Sequence, residues 1–353
     1  MAKIDQLFDA MLAADGSDLH LAEGQPPKIR LQGRLEKLGQ PVLTAEAIRD
    51  YLQELCTTER WQHYLDAGDL DFAYAFGDKA RFRSNYFRQA HGMGAVFRTI
   101  PSRIKTLGEL NLPPVLKSFS LLRAGLVLVT GPTGSGKSTT LAAIIDLINQ
   151  TSARHILTIE EPIEFVHPNK RSILCQREVG TDLNSFADGL RTAGRQDCDV
   201  ILVGEMRDYE TISLAVSAAT TGSLVFGTLH TNSAVKTVDR IIDAFPAAQQ
   251  AQIRSMVADS LKGVCAQILL RSADGSHRIA CNEILLSNSA LANTIREGKT
   301  PNIRNIIHTG RTQGMQLMDD AIQKYLSEQK ITGEEAYMKA TEKTRFSQYA
   351  PQC

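Results

Sequence analysis

The sequence predicts an α/β protein in which a small α+β domain precedes a larger domain built on a parallel sheet. From Gly125 onward, short apolar strands such as GLVLVT and DVILVG alternate with helical segments, as is typical of a parallel sheet covered by helices on both faces. Upstream, the stretch DLDFAYAF carries an apolar residue at every second position, which indicates half-buried strands. Pro113-Pro114 separates the two patterns, because helices rarely continue through such a pair.

These patterns divide the chain into three predicted parts. They are an N-terminal domain of residues 1–101, a linker of residues 102–116, and a larger domain of residues 117–353 that ends in a mostly helical region. The chain begins with MAKIDQLFDAML, whose apolar spacing predicts an amphipathic helix, and Gln32-Gly33 predicts a hairpin turn soon after it.

Composition excludes several classes of protein. The chain has 353 residues, 43% of them hydrophobic, and 39 basic residues balance 39 acidic ones, so no net positive charge favours nucleic-acid binding. The six cysteines form no CxxC pair, which argues against a zinc knuckle or a disulfide framework. No apolar run approaches the roughly 20 residues that a membrane span needs. We therefore expect a cytoplasmic protein that binds no nucleic acid and does not insert into a membrane.

A phosphate-binding loop follows the first strand of the larger domain. The segment GPTGSGKS, residues 131–138, matches G-x-x-x-x-G-K-[ST] and lies directly between a predicted strand and a predicted helix, the context that this motif requires. Its backbone amides surround phosphates, Lys137 reaches the β- and γ-phosphates, and Ser138 holds magnesium. The residues assigned to ATP binding here are Gly131, Pro132, Thr133, Gly134, Ser135, Gly136, Lys137, Ser138 and Thr139.

Carboxylates follow two later strands of the same sheet. The strand VILV runs into Glu205, and the strand HILTIE into Glu160, Glu161 and Glu164. Because parallel strands end at one edge, we expect Glu205 to lie near Ser138 and to act on the metal through a bound water. One of the three other glutamates is expected to deprotonate the attacking water. Two alternatives remain. Glu205 could instead form a salt bridge with a neighbour, and the other three glutamates could be solvated acids in a loop.

His230 ends a further strand, in FGTLHTNSA. A lone histidine is more often a packing or capping residue than a functional one. Its place at the same predicted edge favours a hydrogen bond to the γ-phosphate.

Taken together, several motifs resemble the type IV pilus retraction ATPase family of the secretion superfamily ATPases. They are GPTGSGKSTT, TIEEPIEF, CQREVG, VILVGEMRD and GTLHTNSAVKTVDRI, with GSDLHL and ARFRSNYF nearer the N-terminus. The resemblance implies a PAS-like N-terminal domain, a RecA-like C-terminal domain and a homohexamer that hydrolyses ATP with Mg2+ at subunit interfaces. It also implies that Glu164 is the catalytic base, that Glu160 and Glu161 belong to an acidic box near the metal, and that Glu205 and His230 are catalytic.

The resemblance assigns four arginines as well. It implies that Arg81, Arg83 and Arg98 of the N-terminal domain contact ATP, some of them from a neighbouring subunit, although as plain sequence they are solvated strand residues. It places Arg195 at an interface, with a catalytic role. The partners that it implies are an inner-membrane platform protein and a paralogous retraction ATPase, with the protein peripheral at the inner membrane.

Several positions depart from the family pattern. Glu161 replaces Asp, Cys198 replaces Pro, and Thr220 and Ser223 replace Glu and His. We expect the last two changes to remove charged groups from near the nucleotide and to slow hydrolysis.

A further departure lies in SALANTIREGK, which aligns with a motif that the family links to retraction. Ala292 stands there in place of Arg. Either Arg296 substitutes for the missing arginine, or the helix serves only for packing.

Rival functions remain open from the sequence. A pilus-extension or type II secretion ATPase is disfavoured, because those relatives carry a longer N-terminal region and a tetracysteine motif. A weakly hydrolysing accessory paralogue is suggested by Thr220, Ser223 and Ala292. A RecA-like DNA motor is disfavoured by the balanced charge.

Overall fold

The computed structural model describes residues 2–31, 33–77, 79–100 and 103–351, which form two compact units. The first unit contains Met1–Arg103 and Pro162–Val166, and the second contains Ile104–Glu161 and His167–Cys353. Gln32 of the predicted turn, Pro101 at the predicted domain limit and residue 102 at the start of the predicted linker lie outside the described residues. The domain limits drawn from the sequence stay a prediction.

The first unit is a six-stranded antiparallel sheet with three helices. Its elements are α1 (Asp5–Ala13), β1 (Asp18–Ala22), β2 (Lys28–Leu31), β3 (Arg34–Lys37), α2 (Ala45–Glu54), α3 (Thr58–Ala67), β4 (Asp69–Phe76), β5 (Ala80–Gln89) and β6 (Gly92–Ile100). The strand order is β3-β2-β1-β6-β5-β4. The predicted N-terminal amphipathic helix is confirmed as α1, which buries Leu7, Phe8 and Met11.

Alternation along the strands gives this sheet two different faces. In β5, Phe82, Ser84 and Tyr86 are buried, whereas Arg81 and Arg83 between them are partly exposed. The apolar face packs against the helices, with Phe8 stacked on Phe82 at a ring-centroid distance of 4.3 Å. The opposite face therefore carries the polar members of each strand.

The second unit is a seven-stranded sheet with helices on both faces. Its elements are β7 (Gly125–Thr130), α4 (Lys137–Thr151), β8 (His155–Glu160), β9 (Ile173–Glu178), α5 (Phe186–Ala193), β10 (Val200–Val203), α6 (Tyr209–Thr220), β11 (Leu224–Leu229), α7 (Ala234–Asp243), α8 (Gln250–Ser260), β12 (Leu261–Arg271), β13 (Arg278–Leu286), α9 (Ser289–Arg296), α10 (Ile303–Thr309), α11 (Met318–Ser327) and α12 (Gly333–Lys339). The order is β13-β12-β7-β11-β10-β8-β9, and β13 alone among them runs antiparallel to its neighbour.

Apolar cores cover both faces of this sheet. Every residue of β7, β10 and β11 is buried, as expected for strands covered on both faces. One core contains residues of α5 to α9, and the other contains α4 and the segment before β7, where Leu107, Leu116 and Phe119 are buried. The predicted parallel α/β sheet is thereby confirmed. Within the described ranges, no helix is long and apolar enough to cross a membrane.

Candidate functional site

The phosphate-binding loop connects the carboxyl end of β7 to the start of α4. Gly136 is the N-cap residue and has a positive φ of 84°, so no side chain occupies the start of the helix. The first amides of α4 are therefore available to an anion. Lys137 turns back over the loop, and its Nζ donates to the carbonyl oxygens of Gly131 and Pro132 at 2.9 and 3.2 Å. Ser138 is exposed beside it.

Neighbouring strands bring further polar groups to the same edge. The sheet places β11 beside β7, β10 beside β11 and β8 beside β10, all parallel. Their carboxyl ends carry His230, Glu205 and Glu160 in that order. The predicted convergence of strand ends is thus what the structure shows within the second unit.

Glu205 has two cationic or polar partners at this edge. Its Oε1 lies 2.6 Å from Arg207 Nε and 2.8 Å from His230 Nε2. Burial raises the pKa of Glu205, but the hydrogen bond and charge of Arg207, together with His230, outweigh this and leave its pKa below the ordinary value. The carboxylate is therefore ionised at neutral pH. The salt bridge to Arg207 and the contact with His230 coexist in one cluster.

Glu160 is oriented by its own strand and by the next one. Its Oε1 accepts from Thr158 Oγ1 at 2.7 Å and from Gln176 Nε2 at 3.2 Å. Glu161 is exposed, and its charge contributes to raising the pKa of Arg207. Both glutamates thus lie at the edge that carries Glu205.

The oxygen donors at this edge fit a magnesium ion that is also held by phosphates. Mg2+ prefers oxygen ligands and is commonly bound through one or two carboxylates with water and phosphate filling the remaining positions. Ser138 and Glu205 supply such oxygens. Among the described residues no group of three or more histidines, cysteines or carboxylates is placed to hold a metal ion.

The predicted ATP-contacting arginines lie on the polar face of the first unit. Arg83 of β5 is directly opposite Arg98 of β6, which is opposite Asp18 of β1. Arg98 Nε donates to Asp18 Oδ1 at 2.8 Å. Burial raises the pKa of Asp18, but hydrogen bonds from Ser17 and Arg98 leave it below the ordinary value. Arg98 is therefore held in place by a buried carboxylate.

Arg81 and Arg83 are held differently. The Nε of Arg81 is buried and has no hydrogen-bond partner in the part of the chain that the structure describes. Arg83 Nη1 lies 3.4 Å from Glu164 Oε1, because residues 162–166 pack with the first unit. The structure thus joins the predicted catalytic base to a predicted ATP-contacting arginine.

Arg195 is not brought together with the strand-end residues. It is exposed and follows α5, in the connection that leads into the amino end of β10. The adjacent Gln196 carbonyl lies 2.8 Å from Nδ1 of His155, the first residue of β8. Its catalytic assignment stays a prediction that rests on the resemblance.

The expectation that Thr220 and Ser223 lie near the nucleotide is wrong. Both lie at the amino edge of the sheet, opposite the phosphate-binding loop, because Thr220 ends α6 and Ser223 precedes β11. Ser223 Oγ donates to the Cys198 carbonyl at 3.2 Å, and Thr220 Oγ1 donates to Val216 within its own helix. Three residues that depart from the family pattern thus form local contacts away from the phosphate-binding loop. They are Thr220, Ser223 and Cys198.

The helix α9 packs on the core of the second unit. Leu291 and Ile295 are buried, and Ala292 packs partly buried against the same core. Arg296 is paired with Asp259 of α8 and donates to Asn293 at 3.3 Å. The packing interpretation of this helix is therefore the one that its contacts support.

Two partners of site residues were not predicted from the sequence. Asp18 holds Arg98, and Gln176 holds Glu160, in each case from a different strand. Both lie in motifs that the resemblance uses, GSDLHL and CQREVG, and an acidic or amide residue within a strand is the available signal. Their pairing needs the strand register, which the sequence does not display.

Comparison with known proteins agrees with this geometry. The model of the family described as "Type II/IV secretion system protein" matches residues 4–350. The chain is 47% identical to "Type IV pilus retractation ATPase PilT" of Pseudomonas aeruginosa, over 96% of this chain and 98% of that protein. It is 37% identical to "Type IV pilus ATPase PilU" of the same organism, over 95% and 87%.

Solved structures agree as well. The pilus retraction motor PilT with bound ADP superposes with a TM-score of 0.91 at 39% identity, over 99% of this chain and all of that one. The ATPase DotB of Legionella pneumophila has a TM-score of 0.84 at 29% identity, over 95% and 94%. The second unit thus has the RecA-like fold of nucleotide-binding secretion ATPases. The chain is an ATPase, and it belongs to the type IV pilus retraction ATPases among the type II/IV secretion system proteins.

Proposed function

We propose that this protein hydrolyses ATP to drive type IV pilus retraction, the disassembly of pilin that underlies twitching motility. The observation that carries the proposal is the edge where the phosphate-binding loop, His230 and Glu205 follow neighbouring parallel strands. Similarity to a retraction ATPase over nearly the full length of both chains supports the retraction direction.

Each group at the edge has a proposed task. The loop amides and Lys137 bind the phosphates, while Ser138 and Glu205, the latter through a water, hold Mg2+ with Glu160 and Glu161 nearby. Bound Mg2+ would neutralise charge on the β- and γ-phosphates. Glu164 accepts the proton of the attacking water. The contact between His230 and Glu205 supports a role for His230 in sensing the γ-phosphate.

The remaining assignments concern assembly. We propose a homohexamer in which Arg81, Arg83 and Arg98 contact the phosphates and Arg195 acts at a subunit interface. The row of arginines on one face of the first unit supports this, because guanidinium groups suit phosphate oxygens. The proposed partners are an inner-membrane platform protein and a paralogous ATPase, with the protein at the cytoplasmic side of that membrane. We also propose that the first unit is a PAS-like domain.

The test combines an enzyme assay with a cell assay. Glu164→Gln should leave ATP binding intact and lower turnover at least about a hundredfold, because the attacking water loses its base. In the source organism, deletion of the gene should give excess surface pili without twitching, and only the wild-type gene should restore motility. Unchanged turnover would remove Glu164 from the mechanism, and unchanged piliation would contradict the retraction function.

A second candidate is an accessory ATPase working beside a stronger paralogue. It is favoured by Ala292, which stands in a helix whose contacts are those of packing. In that case the deletion would leave piliation unchanged, while purified protein would still hydrolyse ATP slowly.

A further inference from the structure

Gln267 is a buried polar residue in an otherwise apolar strand, GVCAQILL. The strand β12 runs parallel to β7 and extends beyond it, with Ala266 paired to Thr130, the last residue of β7. Gln267 consequently lies beside Gly131, where the phosphate-binding loop begins. Only 2% of Gln267 is exposed, so its amide depends on protein partners.

The amide of Gln267 is bonded on both its donor and its acceptor side. Nε2 donates to the carbonyl oxygen of Ser135 at 2.6 Å. Oε1 accepts from Thr140 Oγ1 at 2.8 Å and from Asn282 Nδ2 at 2.9 Å. One side chain thus joins the middle of the loop to the first turn of α4. A glutamine suits this place because the carbonyl needs a donor and the hydroxyl needs an acceptor.

The glycines of the loop fit closely around the same residue. A Cβ at Gly131 would lie 2.1 Å from the carbonyl oxygen of Gln267, and one at Gly136 would lie 3.0 Å from its Nε2. Gly131 and Gly136 also have positive φ values of 147° and 84°. The two glycines therefore allow β12 to pack closely against the loop, and they also allow the loop to turn with positive φ.

We propose that Gln267 is a positioning residue for nucleotide binding. It holds the Ser135 carbonyl on the side of the loop that faces β12, so that the loop keeps its shape before the phosphates arrive. Asn282 acts through Gln267 by fixing which way its amide points. The proposal rests on the proposed function only in taking this loop as the ATP-binding loop. A pre-ordered loop loses less conformational freedom on binding and so binds more tightly.

The test uses two variants of the full chain, with ADP binding measured by calorimetry beside kcat and KM for ATP. Gln267→Met keeps the length of the side chain but cannot hydrogen-bond, and it should weaken ADP binding roughly tenfold, because the Ser135 carbonyl loses its donor. KM should rise more than kcat falls, because Gln267 touches the loop and not the reacting atoms.

Gln267→Glu adds a readout that a purely structural role would not move. Its ionised carboxylate would face the Ser135 carbonyl, acceptor to acceptor, whereas the protonated acid can donate as the amide does. ADP binding by this variant should be roughly tenfold weaker than wild type at pH 8 and should approach wild type as the pH falls to 6. If Gln267→Met does not fold, this pH dependence decides the question alone.

The matched control is Gln316→Leu. Gln316 Nε2 donates to the backbone carbonyl of Asn282 at 2.6 Å and not to the side-chain amide through which Asn282 bonds Gln267. Gln316→Leu should lower the unfolding temperature about as much as the Gln267 variants do, while leaving the affinity for ADP unchanged. Wild-type affinity in both Gln267 variants, or an equal loss in Gln316→Leu, would overturn the proposal. If neither Gln267 variant folds, Asn282→Ala should weaken ADP binding about threefold, and unchanged affinity would overturn it.

Failure of this proposal is distinguishable from failure of the proposed function. Should the wild type bind ADP tightly while gene deletion leaves pili unchanged, retraction would be contradicted and the role of Gln267 would still be decided by the binding data.

Discussion

The two sheets of this protein present their polar residues in different ways. In the seven-stranded sheet, β7, β10 and β11 are buried throughout, and the candidate site residues Lys137, Glu205 and His230 follow their carboxyl ends. In the six-stranded antiparallel sheet, every second residue of β5 is buried, and the residues between them carry the arginines. One sheet presents its candidate site residues at an edge, and the other presents them on a face.

This difference follows from what covers each sheet. Helices on both faces of a parallel sheet leave only its edges to meet a ligand, and loops at the carboxyl ends of the strands share one edge. A sheet covered on one face leaves the other face to polar side chains. If the edge and the face have separate roles, substitutions in the two places should differ in their effects on turnover and stability.

The largest expected effect is at the edge. Glu205→Gln keeps the shape of the side chain but removes the charge that faces Arg207 and His230. Turnover should fall about a hundredfold, because the proposed Mg2+ would lose the anionic group that holds it through a water. Steady-state phosphate release measures this. Asp208→Ala is the control: Asp208 caps α6 by accepting from the backbone N–H of Thr211, so its loss should lower stability and leave kcat near wild type. A wild-type turnover in Glu205→Gln would show that Glu205 does not contribute to ATP hydrolysis.

The next effect concerns stability under acid, which should fall in both units. Burial lowers the pKa of His167 in the second unit from 6.5 to about 4, Lys170 acts in the same direction, and Asp146 opposes them. Because the folded form holds its proton less tightly than the unfolded form, stability is complete above pH 6.5 and falls as the pH drops toward 4. The loss should reach about 2 kcal/mol at pH 5.

Hydrogen exchange of peptides from each unit, corrected for intrinsic rates at pH 7 and pH 5, measures this loss. In the first unit, burial and Arg30 also lower the pKa of His20, so that unit should weaken in the same direction. His167→Asn should reduce the pH dependence of the unfolding free energy in the second unit and leave that of the first unit unchanged. An unchanged pH dependence of the second unit in that variant would show that His167 does not control the acid response.

A smaller effect is expected on the face of the first unit. Arg83→Ala should lower turnover roughly tenfold, since Arg83 shares its face with two other arginines, and it should leave stability nearly unchanged because Arg83 is 43% exposed. Arg98→Ala is the comparison, because it leaves the buried Asp18 without its 2.8 Å partner and should also destabilise the first unit. If Arg83→Ala and Arg98→Ala lowered turnover and stability equally, the proposed difference between the two arginines would be contradicted.

The sequence predicted the edge better than the face, for a physical reason. Residues 131–138 are contiguous, and Glu205 and His230 directly follow apolar strands, so the pattern along the chain and the rule for parallel strands together place them. The contacts between Arg98 and Asp18 and between Arg83 and Glu164 join residues about 80 positions apart. Such pairs depend on strand register and on the return of residues 162–166 to the first unit, neither of which local patterns contain.

The error over Thr220 and Ser223 has the same origin and provides the smallest predicted effect. The expectation came from the family's charged residues at these positions and not from the fold, in which the two residues precede strand β11 whereas His230 follows it. The double substitution Thr220→Glu with Ser223→His, which restores the family's residues, should therefore change turnover by less than about twofold, because the added groups lie at the amino edge and exposed charges are screened by solvent. Ser223→Ala is the control for losing the bond to Cys198. A several-fold gain in turnover in the double variant would mean that the amino edge influences hydrolysis, and the division of the sheet into a functional and a structural edge would then fail.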